Sequence, residues 1–486
     1  MNKLKLKNLI PFLVLAAIAV AAMFIPTLPN FDDGKYSAAD TAWILVATAL
    51  VFLMTPGLAF FYGGMVHRKN VLSTMMKSVV AAGIVGVLWI VVGYSLCFGD
   101  SVKIAGLGVI GNPLTHLFYK GVASGEPWAA ASTIPKPLFS MFQLMFAIIT
   151  PGLVVGAIAE RMRFLAYVLF TVLFSLLVYA PLAHWSWHPD GFLAQMGALD
   201  FAGGTVVHIS AGCAALAGAL VLKRRKSHID GHAHDPANIP YVLIGTGLLW
   251  FGWFGFNAGS AVAANSLAVS AFSTTNTAAA AAGLSWMFFD VLRGKKPSVV
   301  GFCVGAVVGL VAITPGAGFV AIPQSIFIGF IAAVISNIAV QIKSRSVLDD
   351  TLDVFPCHGI GGMVGMLLTG VFATKAVNAA GADGWFLGNF SFFLTQAKAM
   401  TISVVYSFSV SFIIFKFINF IVPLRVTNAE EEAGLDASQH DEKYVQGTLL
   451  VTTKEGTSLV ETESFVEEVD TTVARRRSNG LERQNV

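Results

Sequence analysis

The stretch Asp200-Phe-Ala-Gly-Gly-Thr-Val-Val-His208-Ile-Ser-Ala-Gly212 decides how the chain is read. A carboxylate stands at the edge of an apolar run, two adjacent glycines follow, and a histidine then lies two turns inside a membrane-spanning helix. An ionisable side chain at that depth is expensive and marks a functional site by default. A second histidine, His358, occupies the same setting in Asp353-Val-Phe-Pro-Cys-His-Gly-Ile-Gly-Gly362, again just inside an apolar run that follows a carboxylate. Two imidazoles in matching surroundings need one explanation.

The rest of the chain sets the solvent. Of 486 residues, 55% are hydrophobic and 12% charged, with a mean hydropathy of +0.71. Soluble domains carry about 25% charged residues, so this composition belongs to a polytopic membrane protein. The net charge of +3 reflects where the bilayer puts basic residues, and no nucleic-acid partner is expected. Cys97, Cys213, Cys303 and Cys357 all fall in apolar segments and read as small core residues, not as a disulfide or zinc framework.

Residues 1–22 carry Lys3, Lys5 and Lys7, an apolar run from Leu9, and then Ala19-Val-Ala21. That is the order of a signal peptide. The alternative is a retained extra helix, since the run continues to Ile25. Eleven further apolar segments lie between residues 38 and 424, which predicts an all-α membrane domain of eleven transmembrane helices. One set of loops is basic (Arg68 and Lys69; Arg161 and Arg163; Lys223-Arg-Arg-Lys226; Arg293, Lys295 and Lys296; Lys343 and Arg345) and the other is much poorer. By the positive-inside rule the basic set is cytoplasmic, and the C-terminal tail with it. Both readings of the N-terminus give this topology.

Segment one contains Pro56-Gly-Leu-Ala-Phe-Phe-Tyr-Gly-Gly64 and segment six Trp253-Phe-Gly-Phe-Asn-Ala-Gly-Ser260. The histidine helices are then the last of two five-helix halves. Five is odd, so the halves are expected to form a 5+5 inverted repeat, followed by a last long helix. From Glu430 the chain turns polar, and residues 425–486 read as a cytosolic tail, partly ordered at best, in which Ser478 follows Arg475-Arg-Arg477.

From their chemistry alone, the two histidines admit four readings: mutual pairing in a packed core, a metal site, a proton relay, or a lining that hydrogen-bonds a small neutral solute. No His-Glu-x-x-His motif and no third ligand at helical spacing accompanies them, so no metal is expected. His228, His232, His234 and Asp235 are metal-like in composition but sit in a hydrophilic loop and read as solvated. Topology gathers Trp187, Phe142, Phe146, Phe256 and Ser260 near one external mouth. Aromatic faces and a hydroxyl suit a small cation, at about 0.5–2 kcal/mol per cation–π contact. An interfacial aromatic belt is the alternative. The soluble parts hold no nucleophile–base set and no nucleotide loop, so neither an enzyme nor a cofactor is expected.

Several strings are specific enough to name a family. They are Phe61-Tyr-Gly-Gly64 with His67-Arg-Lys-Asn-Val-Leu-Ser73, Ala159-Glu-Arg-Met-Arg-Phe164, Asp200 to His208, Gly252 to Ser260, Asp353 to Gly359, and Gly434-Leu-Asp436. From about residue 38 to 445 the chain resembles the ammonium transporter family, the Amt/Mep branch related to Rhesus proteins and here of bacterial type. The resemblance implies external recruitment of ammonium (or methylammonium) by Trp187, Phe142 and Ser260, with Asp200 supporting the site without ligating the ion. It implies a gate of Phe146 over Phe256, and His208 and His358 as paired pore histidines. It also implies a homotrimer in the bacterial inner membrane and a PII-type signalling protein at the cytoplasmic face. The chain departs from the family pattern at His188-Pro-Asp190, where relatives usually carry glycines, and at Asp441, where the tail usually has glycine.

A bare cation in an apolar tube is prohibitive, with a Born cost on the order of tens of kcal/mol. Ammonium can shed a proton and potassium cannot. The expected mechanism is therefore capture at the mouth, deprotonation near the gate, and passage of ammonia along the histidines. A rival expectation is an ammonium sensor that signals through the long tail.

Overall fold

The computed structural model describes residues 6–25, 35–122, 126–231, 235–444, 448–453 and 456–461. A helix over Leu6–Ala22 precedes eleven further helical stretches. These are α1 (Ala38–Met65), α2 (Arg68–Phe98), α3 (Lys136–Ile158), α4 (Phe164–Trp187), α5 (Gly204–Leu222), α6 (Ile239–Ala261), α7 (Ser266–Leu292), α8 (Val299–Ile313), α9 (Ile322–Ser344), α10 (Phe355–Phe372) and α11 (Phe390–Ile421). Among the described residues, nine helices are long and apolar enough to cross a membrane, all of these except α7 and α8. Helix α7 is long but interrupted by Ser273-Thr-Thr-Asn-Thr277, and α8 has only 15 residues. Outward faces carry Leu45, Phe288, Ile413 and Phe420, all exposed, as expected where lipid is the solvent.

Inside, small residues let the helices touch backbone to backbone. A methyl on Gly245 of α6 would sit 2.3 Å from the Phe61 nitrogen of α1, and one on Gly212 of α5 would sit 2.2 Å from the Gly359 nitrogen of α10. The α5–α10 crossing is reciprocal. Each histidine lies over the glycine four residues beyond the other: Gly212 faces the His358 carbonyl carbon at 3.1 Å, and Gly362 faces the His208 Cβ at 3.2 Å.

The two histidine helices also begin alike. The Asp200 carboxylate accepts from the Gly203, Gly204 and Thr205 amides at 2.8, 2.6 and 2.7 Å, and from the Thr205 hydroxyl. Asp350 does the same for α10, accepting from Val354 at 3.0 Å and Phe355 at 2.7 Å. Both carboxylates lie eight residues before their histidine and satisfy amides that a helix start otherwise leaves bare. The chain turns through positive φ three residues after each cap, at Gly203 (118°) and Asp353 (58°). Both helices open with a π turn, Gly204–Ile209 and Phe355–Ile360. Helix α5 thus starts at Gly204, so His208 lies one turn inside it and not two. The carboxylate matching Asp200 is Asp350 and not Asp353, which instead pairs with Lys343 at 2.6 Å.

At one end of the bundle, buried charges tie the loops together. Arg225 forms a fork with Asp349 (2.9 Å) and reaches Glu160 at 2.5 Å. Arg161, fully buried, donates to the Asp349 carbonyl and to Thr351. Burial alone would raise the Asp349 carboxyl, but Arg225 and Arg161 hold it well below the usual range. The tail packs on this end through α12 (Asn428–Ala433) and α13 (Leu435–His440). Thr427 and Glu430 close a capping box, Arg163 forks onto Glu430 at 3.0 and 2.8 Å, and Arg425 meets Glu431 at 2.6 Å. Asp436 accepts from the Leu72 and Ser73 amides at 3.0 and 2.7 Å, so the tail lends a cap to the start of α2. Beyond it, β3 (Thr448–Thr453) pairs antiparallel with β4 (Gly456–Glu461). The Ser478 neighbourhood lies outside the described residues.

At the other end, a hairpin of β1 (Ser101–Ile104) and β2 (Leu107–Gly111) packs beside the end of α4, where the Trp185 indole donates to the Val109 carbonyl at 2.6 Å.

Candidate functional site

Helix α3 places Phe142 and Phe146 one turn apart, with ring centroids 5.0 Å from each other. Phe146 lies 4.3 Å from Phe256 of α6, and its edge faces Trp187, the last residue of α4, at 5.8 Å. All three phenylalanines are buried and Trp187 is half-buried. The Trp187 indole donates to the Asp200 carbonyl at 3.1 Å. Ser260 donates its hydroxyl proton to the Phe256 carbonyl at 2.8 Å, which leaves its lone pairs free to accept. The five residues assigned to the mouth and gate are therefore brought together. Asp200 is also there, but its carboxylate is committed to the start of α5.

Below the gate, His208 stacks 5.9 Å from Phe256 and 5.3 Å from Trp253. His358 follows at 5.5 Å, with the two Nδ1 atoms 3.4 Å apart. Both imidazoles are buried. The cavity they share with Ile149, Leu153, Leu249 and Trp253 has about 10 Å³ of room for a water-sized body, enough for about one at a time.

Thr314, which the sequence reading did not single out, orders the protons. Its hydroxyl donates to the Leu310 carbonyl at 2.7 Å and accepts from the Trp253 indole at 3.0 Å. The His208 Nε2 lies 3.3 Å from the same oxygen, whose only proton is already given away. This Nε2 therefore carries hydrogen and donates. His208 Nδ1 is then an acceptor for the Nδ1–H of His358, and His358 Nε2 is left with a lone pair. Thr314 and Trp253 have no motif of their own. Asp350 had a signal, the same eight-residue offset as Asp200.

The departures noted above fall outside the gate. His188 stacks on His184 at 4.4 Å and accepts from the Asp190 amide at 3.1 Å, while Asp190 pairs with Lys103 at 3.1 Å. Burial holds the His188 imidazole below its ordinary value, and the hydrogen bond from Lys103 lowers the Asp190 carboxyl. Asp441 takes a positive φ of 56°, a conformation that glycine adopts freely and Asp tolerates.

Among the described residues no three His, Cys, Asp or Glu side chains gather as a metal site. His228 accepts from Arg224 at 2.9 Å, and His232 and His234 lie outside the described residues. A cleft of about 750 Å³ opens between the basic loops and the tail, lined by Arg68, Lys69, Arg225, Lys226, Glu431 and Glu432 among others.

Fold and site together define a multi-pass membrane transport protein in which an aromatic stack lies over a small apolar cavity lined by two histidines. The model of the Ammonium Transporter Family matches residues 42–445, and the chain belongs to that family. An ammonium transporter of Bacillus subtilis (strain 168) is 48% identical over 411 residues, covering 84% of this chain and 99% of that one. The crystal structure of Candida albicans Mep2 superposes with a TM-score of 0.75 at 36% identity, over 82% of this chain and 88% of that chain. A structure described as a "Sensor Amt Protein" matches with a TM-score of 0.75 at 29% identity, over 83% and 98%. The protein is an ammonium transporter.

Proposed function

We propose that ammonium is recruited at Trp187, Phe142 and Ser260, loses its proton near Phe146 and Phe256, and passes as ammonia along His208 and His358. The observation that carries this reading is the pairing of a closed ring stack, 4.3 Å between centroids, with a cavity of about 10 Å³ beneath it. Bringing an ion there without its water costs several kcal/mol even after relaxation, and a few cation–π contacts do not offset that. A neutral molecule meets no such penalty. It finds an acceptor in the free Nε2 lone pair of His358, because Thr314 fixes the tautomers.

The same reading takes α7 and α8 as spans, giving eleven, with α1–α5 and α6–α10 as inverted halves. The matched caps, π turns and glycines of α5 and α10 support it. Residues 1–22 serve as the targeting segment, residues 38–424 form the membrane domain, and the tail from 425 faces the cytoplasm of a bacterial inner membrane. The assembly is a homotrimer, and the cleft beside the tail receives a PII-type regulator. Sensing through the tail is the weaker reading, because the cavity beneath the ring stack is lined by both histidines.

The test is ammonium-evoked current from purified protein in liposomes. A current shows that the proton crosses with ammonia, and uptake without current shows that it returns outside. Replacing both histidines with alanine abolishes potassium exclusion or uptake; retention of both rejects the pore role.

A further inference from the structure

We infer that a cavity behind the gate helix is a second internal site for one neutral, water-sized hydrogen-bonding molecule, water or ammonia, held by Ser175 and Tyr179. Helices α2 and α4 each contain a π turn within the bundle, Trp89–Gly93 and Ser175–Tyr179. Such turns are rare and often mark functional positions. The cavity lies between these two, lined by Trp89, Gly93, Cys97, Ser175, Tyr179 and Ala147 among others. Its room, about 10 Å³, is that of a single water.

Ser175 and Tyr179 are 6% and 1% exposed, and neither hydroxyl has a protein partner. Within a membrane no bulk water reaches such groups, so an unmet hydroxyl there costs more than in a soluble core. One molecule that both donates and accepts satisfies the two together. The rest of the lining is largely apolar and offers no countercharge, so a cation there would lose its water without compensation and the occupant is neutral.

The site borders the gate from behind. Ala147 follows Phe146 directly, and the Trp89 indole donates to Ser140 of α3 at 3.0 Å. Ile149 and Leu153 of the same helix line the histidine cavity, so α3 carries one cavity on each face. The water alternative stands independently of the conduction reading, and the ammonia alternative rests on it.

Thermal unfolding of the purified full-length protein in ammonium-free detergent buffer tests the site. If the hydroxyls hold a bridging molecule, S175A and Y179F each lower the midpoint by about 2 °C or more. The double variant then loses no more than the larger single change, because the molecule has already left. A rise or no change in either single variant overturns the proposal, since removing a truly unmet hydroxyl relieves a penalty. Density maps of the full chain separate the sources. A peak within hydrogen-bond distance of both hydroxyls in ammonium-free buffer is water, and a peak found only with ammonium is ammonia. No peak in either buffer overturns the site.

Discussion

At the scale of the residue, the site turns on the single proton of Thr314. That proton is given to the Leu310 carbonyl, so the oxygen can only accept, and His208 must point its N–H at it. T314V removes the acceptor for both His208 and Trp253, leaving two buried donors unmet at about 1–3 kcal/mol each. If about 1.4 kcal/mol of that appears in the transport barrier, methylammonium uptake in liposomes falls about tenfold. T314S keeps the acceptor and keeps uptake near the unaltered level. Equal uptake by T314V at matched protein density would contradict the tautomer assignment. None of this was legible in the sequence, because a threonine in an apolar helix is ordinary and its partners come from α5 and α6. Phe146, Phe256, His208 and His358 were legible, the histidines because an ionisable group in a greasy helix is rare and all four because they sit inside long, specific strings.

At the scale of the element, the starts of α5 and α10 carry the repeat. Asp200 and Asp350, Gly203 and Asp353, His208 and His358, and Gly212 and Gly362 are all 150 residues apart. Asp350 is hard to pick out in the sequence because Asp353 is nearer to the histidine and also acidic. Only the backbone separates the capping acid from the one at positive φ. D350A removes a cap from two amides and is expected to destabilise the protein by about 1–2 kcal/mol, read as a lower unfolding midpoint. D350N restores most of the loss.

The docking of residues 428–444 is the other feature that the sequence did not show. The apolar content of this segment is small, but Leu435 is fully buried, Tyr444 packs against the cluster that includes Val66, Val71 and Ala237, and ion pairs and caps add to the hold. His440 of α13 bonds Ser73 at 3.2 Å and sets its ring against the edge of Phe164. Burial, and then the Lys77 charge, lower its affinity for a proton, with Glu442 opposing. The undocked imidazole keeps its ordinary value, so as pH falls below that value the free tail takes up the proton first and docking weakens. Asp436, raised by burial, acts in the opposite sense when its own carboxyl protonates. Proteolysis or hydrogen exchange of residues 428–444 should therefore report looser docking on mild acidification from pH 7.5. H440Q should flatten that dependence. An unchanged dependence in H440Q would assign it elsewhere.

At the scale of the whole molecule, the exterior is apolar, the loops at one end are clamped by buried charges, and the centre offers room for one small body at a time. Length and composition made the exterior legible. They did not reveal the clamp of Arg225, Glu160, Asp349 and Arg161, which joins loops far apart in the chain. Nor did they separate α7, which is more polar, and α8, which is shorter, from the other nine helices. The account's central claim is that this centre passes a solute able to lose its charge and excludes one that cannot. The direct measurement is tracer flux of methylammonium and of potassium into the same liposomes containing the purified full-length protein. The account predicts saturable methylammonium uptake with potassium at the level of protein-free vesicles. Potassium entry at a rate comparable to methylammonium, through an unaltered gate and histidine pair, would contradict it.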